Sequence, residues 1–263
     1  MDLNMKTESE RQKALQSFDE FAETYDYRAD YPEELAKTII SKANLTAGSK
    51  LLEIGSGTGK ATVHFADYGF EIVCVEPGIK MIEKAKAKLK GKDKDIKFIH
   101  SRFEDYSEPP EYFDAVISAQ AFHWVTQPLG YEKCANTLKK GGYLAPFWCI
   151  DIFGDSDLDR ELGSIIEKYY AYVSYMPEAD YAARLESIAS KIVSSGLFSK
   201  PEIIHSYLDI NYTADDYFNY LHADTKRTDE EKQALREELL KLADKYNGIK
   251  RRYTCELYLT QKL

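Results

Sequence analysis

The stretch Lys50-Leu51-Leu52-Glu53-Ile54-Gly55-Ser56-Gly57-Thr58-Gly59-Lys60 limits what this chain can fold into more than any other. Leu51, Leu52 and Ile54 form a short apolar run of the kind that fills a parallel strand buried on both faces. Gly55, Gly57 and Gly59 then force a tight turn and let bare backbone N–H groups approach a ligand. Ala61-Thr62-Val63-His64-Phe65-Ala66 continues at helical spacing, which predicts a helix over 59–68. A strand, a glycine turn and a helix N-terminus together make a small-molecule cradle in an open α/β sheet.

Spacing narrows what the cradle can hold. A dinucleotide fingerprint, G-x-G-x-x-G, wants a small third residue where this chain has Lys60. The pattern here is G-x-G-x-G, and Glu53 ends the strand just before it. A carboxylate is a poor neighbour for a diphosphate in a low-dielectric crevice, but it suits a ligand carrying an ammonium and a sulfonium. Glu76 follows the next strand, Glu71-Ile72-Val73-Cys74-Val75, about 20 residues on, where an acid can accept both hydroxyls of a ribose.

At these residues the chain resembles the class I S-adenosylmethionine-dependent methyltransferases, and within them the small-molecule branch that includes trans-aconitate-type enzymes. The resemblance is carried by Leu52 to Gly59, Val75-Glu76-Pro77, Ser118-Ala119-Gln120-Ala121-Phe122-His123-Trp124 and Leu138-Lys139-Lys140-Gly141-Gly142. Phe18-Asp19 through Tyr25, Arg28 and Tyr31-Pro32 are similar to that branch's N-terminal segment. The match is good over residues 18–150 and weak elsewhere. It implies a Rossmann-like sheet of seven mostly parallel strands, the last antiparallel, with helices on both faces and a helical cap.

Bulk properties restrict the class further. A chain of 263 residues can bury a sizeable core, and a formal net charge of −9 argues against a nucleic-acid groove. No apolar run approaches the ~20 residues that span a bilayer. Residues 1–11 are polar, without the apolar core of a signal peptide, so a cytoplasmic setting is expected. Cys74, Cys134, Cys149 and Cys255 form no C-x-x-C pair, and free buried thiols are expected. His64, His100, His123, His205 and His222 are scattered without metal-ligand spacing, so no metal is expected.

In chain order, Ala14, Leu15, Phe18, Phe21, Ala22 and Tyr25 mark one face of an amphipathic helix, and Pro32 opens a second. Strands and helices then alternate as in a parallel sheet with right-handed crossovers: a helix over 79–90, strands over 96–99 and 113–118, a helix from Thr126 to Leu138, and a strand from Tyr143 to Ile150 after a Gly141-Gly142 turn. A helical stripe spans about 156–176, and another helix spans about 180–195. A strand over 203–212 precedes a short helix through His222, and Thr228 with Glu231 forms a capping box for a helix ending before Gly248. Residues 253–259 read as a terminal strand. The expected organisation is a flap over 1–45, a cofactor-binding core over 46–150, a cap insertion over 151–200, and the end of the sheet over 201–263 with a helical insertion over 211–250.

The resemblance also implies site residues. Tyr25 and Arg28 would lie near the methionine carboxylate of the cofactor, Gly55, Gly57 and Gly59 would form the turn beneath it, and Glu53 and Glu76 would flank it. Glu104, or Asp105 beside it, would meet the adenine amine, with a ring wall from Phe103 or from Ile79 and Met81. Ser118 and Ala119 would reach the sulfonium end. His123 is either a helix-starting residue bonded to backbone or the group that polarises or deprotonates the acceptor. Trp124, Tyr175, His222 and Arg227 are candidates for the acceptor roof.

Methyl transfer from a sulfonium is an in-line displacement at an already activated carbon, so alignment and desolvation suffice and no triad is needed. The expected function is therefore methyl transfer from S-adenosylmethionine, leaving S-adenosylhomocysteine, to a small molecule. A carboxylate acceptor would need cationic docking rather than a base. The chain is expected to work as a monomer or homodimer, away from membranes and nucleic acid. A nicotinamide-dependent oxidoreductase and a non-catalytic S-adenosylmethionine-binding protein are the alternatives.

Overall fold

The structure is a computed structural model, and it describes residues 22–23, 25–92, 94–107, 109–169, 176–221 and 227–263, with the side chains of 176–179 excepted. Of the expected first amphipathic helix, residues 14–21 lie outside the described residues, as do Tyr175 and His222, while Tyr25 stands in a 3-10 turn, Tyr25–Tyr27.

Seven strands form the main sheet: β1 (Lys50–Ile54), β2 (Glu71–Glu76), β3 (Ile96–His100), β4 (Phe113–Ala119), β5 (Leu138–Phe153), β6 (Glu202–Tyr212) and β7 (Ile249–Gln261). Their order is β3-β2-β1-β4-β5-β7-β6. The pairs from β3 through β5 are parallel, and β7 runs antiparallel to both of its neighbours. A two-residue strand, Met176–Pro177, adds to the end of β5. This is the Rossmann-like sheet expected. Leu51, Leu52, Val116 and Ile117 are fully buried, each contributing about 1.5–3 kcal/mol by leaving water.

Helices cover both faces. On one, α1 (Glu33–Lys42) buries Leu35, Ala36 and Ile39 against β1, β4 and β5. On the other, α3 (Leu129–Thr137) and α5 (Glu178–Ser194) pack on Leu144, Trp148 and Tyr258. Helix α2 (Ile79–Lys88) follows β2. A third core, with Phe153, Leu162, Tyr217 and Leu239, lies beneath α4 (Asp157–Tyr169), α6 (Ala214–Tyr220) and α7 (Asp229–Tyr246). The capping box of α7 forms as its sequence requires: the Thr228 hydroxyl accepts from Glu231 N, and the Glu231 carboxylate accepts from Thr228 N. No helix among the described residues is long and apolar enough to cross a membrane.

Three expectations are corrected. The segment 59–68 is two 3-10 turns, Thr62–His64 and Ala66–Tyr68, and not an α-helix. Thr62 and Val63 are β-branched and weak helix formers, Thr62 is tied by its hydroxyl to Glu53, and Gly69 closes the segment in a left-handed conformation at φ 72°. Gly141 and Gly142 do not precede β5 but lie within it. The ladder passes from Phe113↔Leu138 to Ala115↔Tyr143, so β5 absorbs the extra residues as an irregularity. Finally, Cys149 and Cys255 are not free thiols: they stand directly opposite on antiparallel β5 and β7, with Cα atoms 3.9 Å apart, and are disulfide-bonded. Cys74 and Cys134 are free and buried, as expected.

Candidate functional site: the glycine turn and its strap

The turn after β1 is built from left-handed backbone. Gly55, Gly57 and Gly59 have φ of 69°, 54° and 77°, a region that costs other L-residues ~1–2 kcal/mol each. Two of them also need their missing side chain. A Cβ on Gly55 would sit 2.4 Å from the Cβ of Ala121, so the turn packs directly against the residue two positions beyond β4. A Cβ on Gly59 would press on Ala85 and Leu89 at 3.2 and 3.3 Å, where α2 closes on the turn. The buried Ser118 hydroxyl donates to Ile54 O at 2.9 Å and ties β4 to β1 just beneath.

Both expected carboxylates flank this turn. Glu76 accepts from Gly57 N with one oxygen and from Gly78 N with the other, each at 2.8 Å, which orients the carboxylate at the rim. Glu53 is fully buried. Its Oε2 accepts from the Thr62 hydroxyl at 2.7 Å, while its Oε1 has no hydrogen-bond partner among the described residues. Burial pushes its carboxyl up to about 7, only partly offset by Thr62 and Cys74.

The segment 25–31 is strapped across the turn. The Thr58 hydroxyl and Lys88 Nζ both donate to Asp26 Oδ1, at 2.7 and 2.8 Å, and Lys60 Nζ donates to Arg28 O at 2.7 Å. The Tyr25 ring faces the open side of Gly57, 3.7 Å from where a Cβ would stand. The Arg28 guanidinium lies 4.8 Å from the centre of that ring. Tyr31 packs edge-on against Phe147 of β5, with ring centroids 5.2 Å apart. Burial, with the nearby charges of Tyr25 and Glu53, pushes its hydroxyl well above the ordinary tyrosine range.

Where β4 ends, Gln120 takes φ 56°, and its N–H donates to Phe147 O at 2.9 Å, turning the chain toward Ala121 and His123. His123 stands between Trp124 and Trp148. Trp148 Nε1 donates to His123 Nδ1 at 3.0 Å, so the neutral imidazole carries its proton on Nε2. His123 is thus tied to a side chain of β5.

The other expected residues are distributed unevenly. Met81, Phe103 and Ala119 are buried core side chains, Met81 being 1% exposed at the start of α2. Glu104 has one oxygen committed to Thr126, accepting from its N–H at 2.8 Å and its hydroxyl at 2.9 Å, and Arg102 is 3.4 Å away. Asp105 beside it is mostly exposed. Arg227 donates to Tyr169 O and so joins the helical block rather than the strap. Sequence reasoning missed Thr62, Asp26, Lys60, Lys88 and Trp148. Only Thr62 left a signal, a hydroxyl within the segment following a buried acid. Trp148 reads as any aromatic in a strand.

The donor set fits S-adenosylmethionine. The left-handed turn has no side chain at Gly55, Gly57 or Gly59 to stand between its backbone and a ligand, the buried Oε1 of Glu53 has no hydrogen-bond partner among the described residues and can meet a cation, and the Glu76 carboxylate is held beside the turn by Gly57 N and Gly78 N. Residues 52–145 match the family model described as "Methyltransferase domain". The Saccharomyces cerevisiae protein named "Probable S-adenosylmethionine-dependent methyltransferase CRG1" is 35% identical over 124 residues, 46% of this chain and 42% of that one. The chain thus spans about half the length of such curated relatives. Among solved structures, the [4+2]-cyclase SpnF superposes with a TM-score of 0.58 at 16% identity, covering 96% of both chains. Phosphoethanolamine N-methyltransferase 2 of Haemonchus contortus, in complex with phosphomonomethylethanolamine and S-adenosylhomocysteine, superposes with a TM-score of 0.55 at 16% identity, covering 97% of this chain and 60% of that one. These two likenesses concern the fold. What the comparisons show, then, is that residues 52–145, from β1 into β5, match the methyltransferase domain family and that the chain has the fold of solved methyltransferases.

Proposed function

We propose that the chain as a whole is an S-adenosylmethionine-dependent methyltransferase whose acceptor is a small molecule presenting a carboxylate oxygen, as in the trans-aconitate-type branch. The observation that carries this is the pair of carboxylates around the glycine turn, Glu53 buried behind it and Glu76 bonded to Gly57 N. A diphosphate would meet the Glu76 anion and a buried Glu53 carboxyl whose ionisation its own charge opposes, whereas an amino-acid nucleoside brings a cation that complements both. When bound, the cofactor supplies an activated methyl group. The chain's own part is to align and to desolvate. Glu76 orients the nucleoside, and Tyr25 and Arg28 close over the turn, with Arg28 the cation suited to a carboxylate.

His123 supports the choice of acceptor. With Nδ1 accepting from Trp148, the ring would position the acceptor rather than act as its base, which suits an acceptor that is already nucleophilic. Gln120 and the segments 151–200 and 211–250 would shape the rest of the acceptor site.

Calorimetric titration with S-adenosylhomocysteine and with NADH tests the cradle: binding of the first and not the second is expected, and the reverse overturns the reading in favour of an oxidoreductase. Turnover with methyl-labelled donor against panels of small carboxylic acids, amines and phenols then tests the acceptor. Label in methyl esters is expected. Label only in amines or phenols rejects the carboxylate, and no label with any panel favours a binding protein without transfer.

A further inference from the structure

Glu53 presents a problem that the proposed reaction leaves unsolved. Its side chain is fully buried at the end of β1, and one of its oxygens lacks any hydrogen-bond partner among the described residues. An ionised carboxylate in that position is costly unless paired. The groups that face it are the Thr62 hydroxyl from the first 3-10 turn, the Cys74 thiol from β2 at 3.8 Å, Glu76 at the end of β2, and Tyr31 from the strap. None of these is a cation. Glu76 adds a like charge, and burial holds both the Cys74 thiol and the Tyr31 hydroxyl well above their ordinary ranges, hence neutral at pH 7.

We propose that Glu53 is a proton-linked sensor of ligand charge: it keeps its proton while the glycine turn holds no cation, and it ionises when an ammonium-bearing nucleoside settles there. The proton leaves the carboxyl for solvent, and the carboxylate so formed pairs with the incoming cation. This rests on the cofactor reading above. It adds that binding exchanges protons and that the pocket discriminates by charge as well as by shape, favouring the amino-acid nucleoside over its neutral fragments.

The carboxyl is pushed up to about 7 in the free protein, so linkage sets the size of the effect. At pH 7 roughly half a proton should leave per S-adenosylhomocysteine bound, and affinity should tighten about tenfold from pH 6 to pH 8. Titration calorimetry in two buffers of different ionisation enthalpy reads this directly. 5′-Methylthioadenosine, which has the nucleoside and thioether but no amino-acid charge, should release no proton. Infrared difference spectra of the wild-type protein should show a protonated-carboxyl band that disappears on adding S-adenosylhomocysteine and persists on adding 5′-methylthioadenosine. Glu53→Gln should abolish the proton release. If that variant does not fold, the infrared band decides alone. Binding of S-adenosylhomocysteine with no proton release and no loss of the band overturns the proposal while leaving the cofactor reading intact. Failure of that ligand to bind at all rejects the cofactor reading itself.

Discussion

Replacing Gly55 by alanine tests the closest contact in the site. The substitution carries two separable penalties. The backbone at φ 69° is left-handed, which costs a residue with a Cβ about 1–2 kcal/mol. The new Cβ would also lie 2.4 Å from the Cβ of Ala121, more than 1 Å inside ordinary contact, and overpacking of this kind costs about 1–3 kcal/mol. Gly55→Ala should therefore lose roughly 2–5 kcal/mol, a large share of the ~5–15 kcal/mol that holds a domain together. Only the second penalty depends on Ala121. That residue sits at φ −124° and ψ −28°, a conformation open to any amino acid, so Ala121→Gly alone should cost no more than about 1 kcal/mol. In the double variant the clash disappears and only the backbone cost remains, giving a favourable coupling of about 1–3 kcal/mol. Urea unfolding of all four proteins, followed by the fluorescence of Trp124 and Trp148, measures the cycle. If the two costs simply add, Gly55 and Ala121 do not touch, and the closed junction of the β1 turn with the end of β4 is wrong.

Two further outcomes follow from buried charge. Arg251 donates to both oxygens of Asp151 at 2.7–3.0 Å, with both side chains 2% exposed, and also to Asp159, so Asp151→Asn should cost on the order of 3 kcal/mol by leaving the buried cation with Asp159 as its remaining carboxylate partner among the described residues, read as a lower urea midpoint. The Glu53 carboxyl is raised by burial above its ordinary value, so the folded protein without ligand binds that proton more tightly than the unfolded chain. Its stabilising contribution is complete below about pH 4.5 and fades as pH rises through about 7, by up to ~3 kcal/mol. Thermal melts of Glu53→Gln should be flatter than wild type over that window, and parallel profiles would show that Glu53 does not titrate there.

What the sequence determined is what is written in neighbouring residues. Apolar runs such as Leu51 to Ile54 and Phe113 to Ser118 bury on both faces wherever the chain goes, so the strands and their alternation with helices are legible. The left-handed turn needs only its own glycines, and the capping box needs only Thr228 and Glu231 three residues apart. Even the pairing of Glu53 with Glu76 around one turn follows from two strands of known length.

Only the tertiary structure decided which distant groups share a space. That Trp148 holds the Nδ1 of His123, that Asp26 receives Thr58 and Lys88, and that Cys149 meets Cys255 depend on strand register and on the path of the strap, quantities to which no local pattern is sensitive. The same is true of the segment after the glycine turn, where apolar spacing predicts a helix and a hydroxyl bonded to a buried acid draws the chain into 3-10 turns instead. The physical reason is one of range. Propensity and turn chemistry act over a few residues, whereas burial of Glu53, and with it the proton that residue holds, is set by everything packed around it.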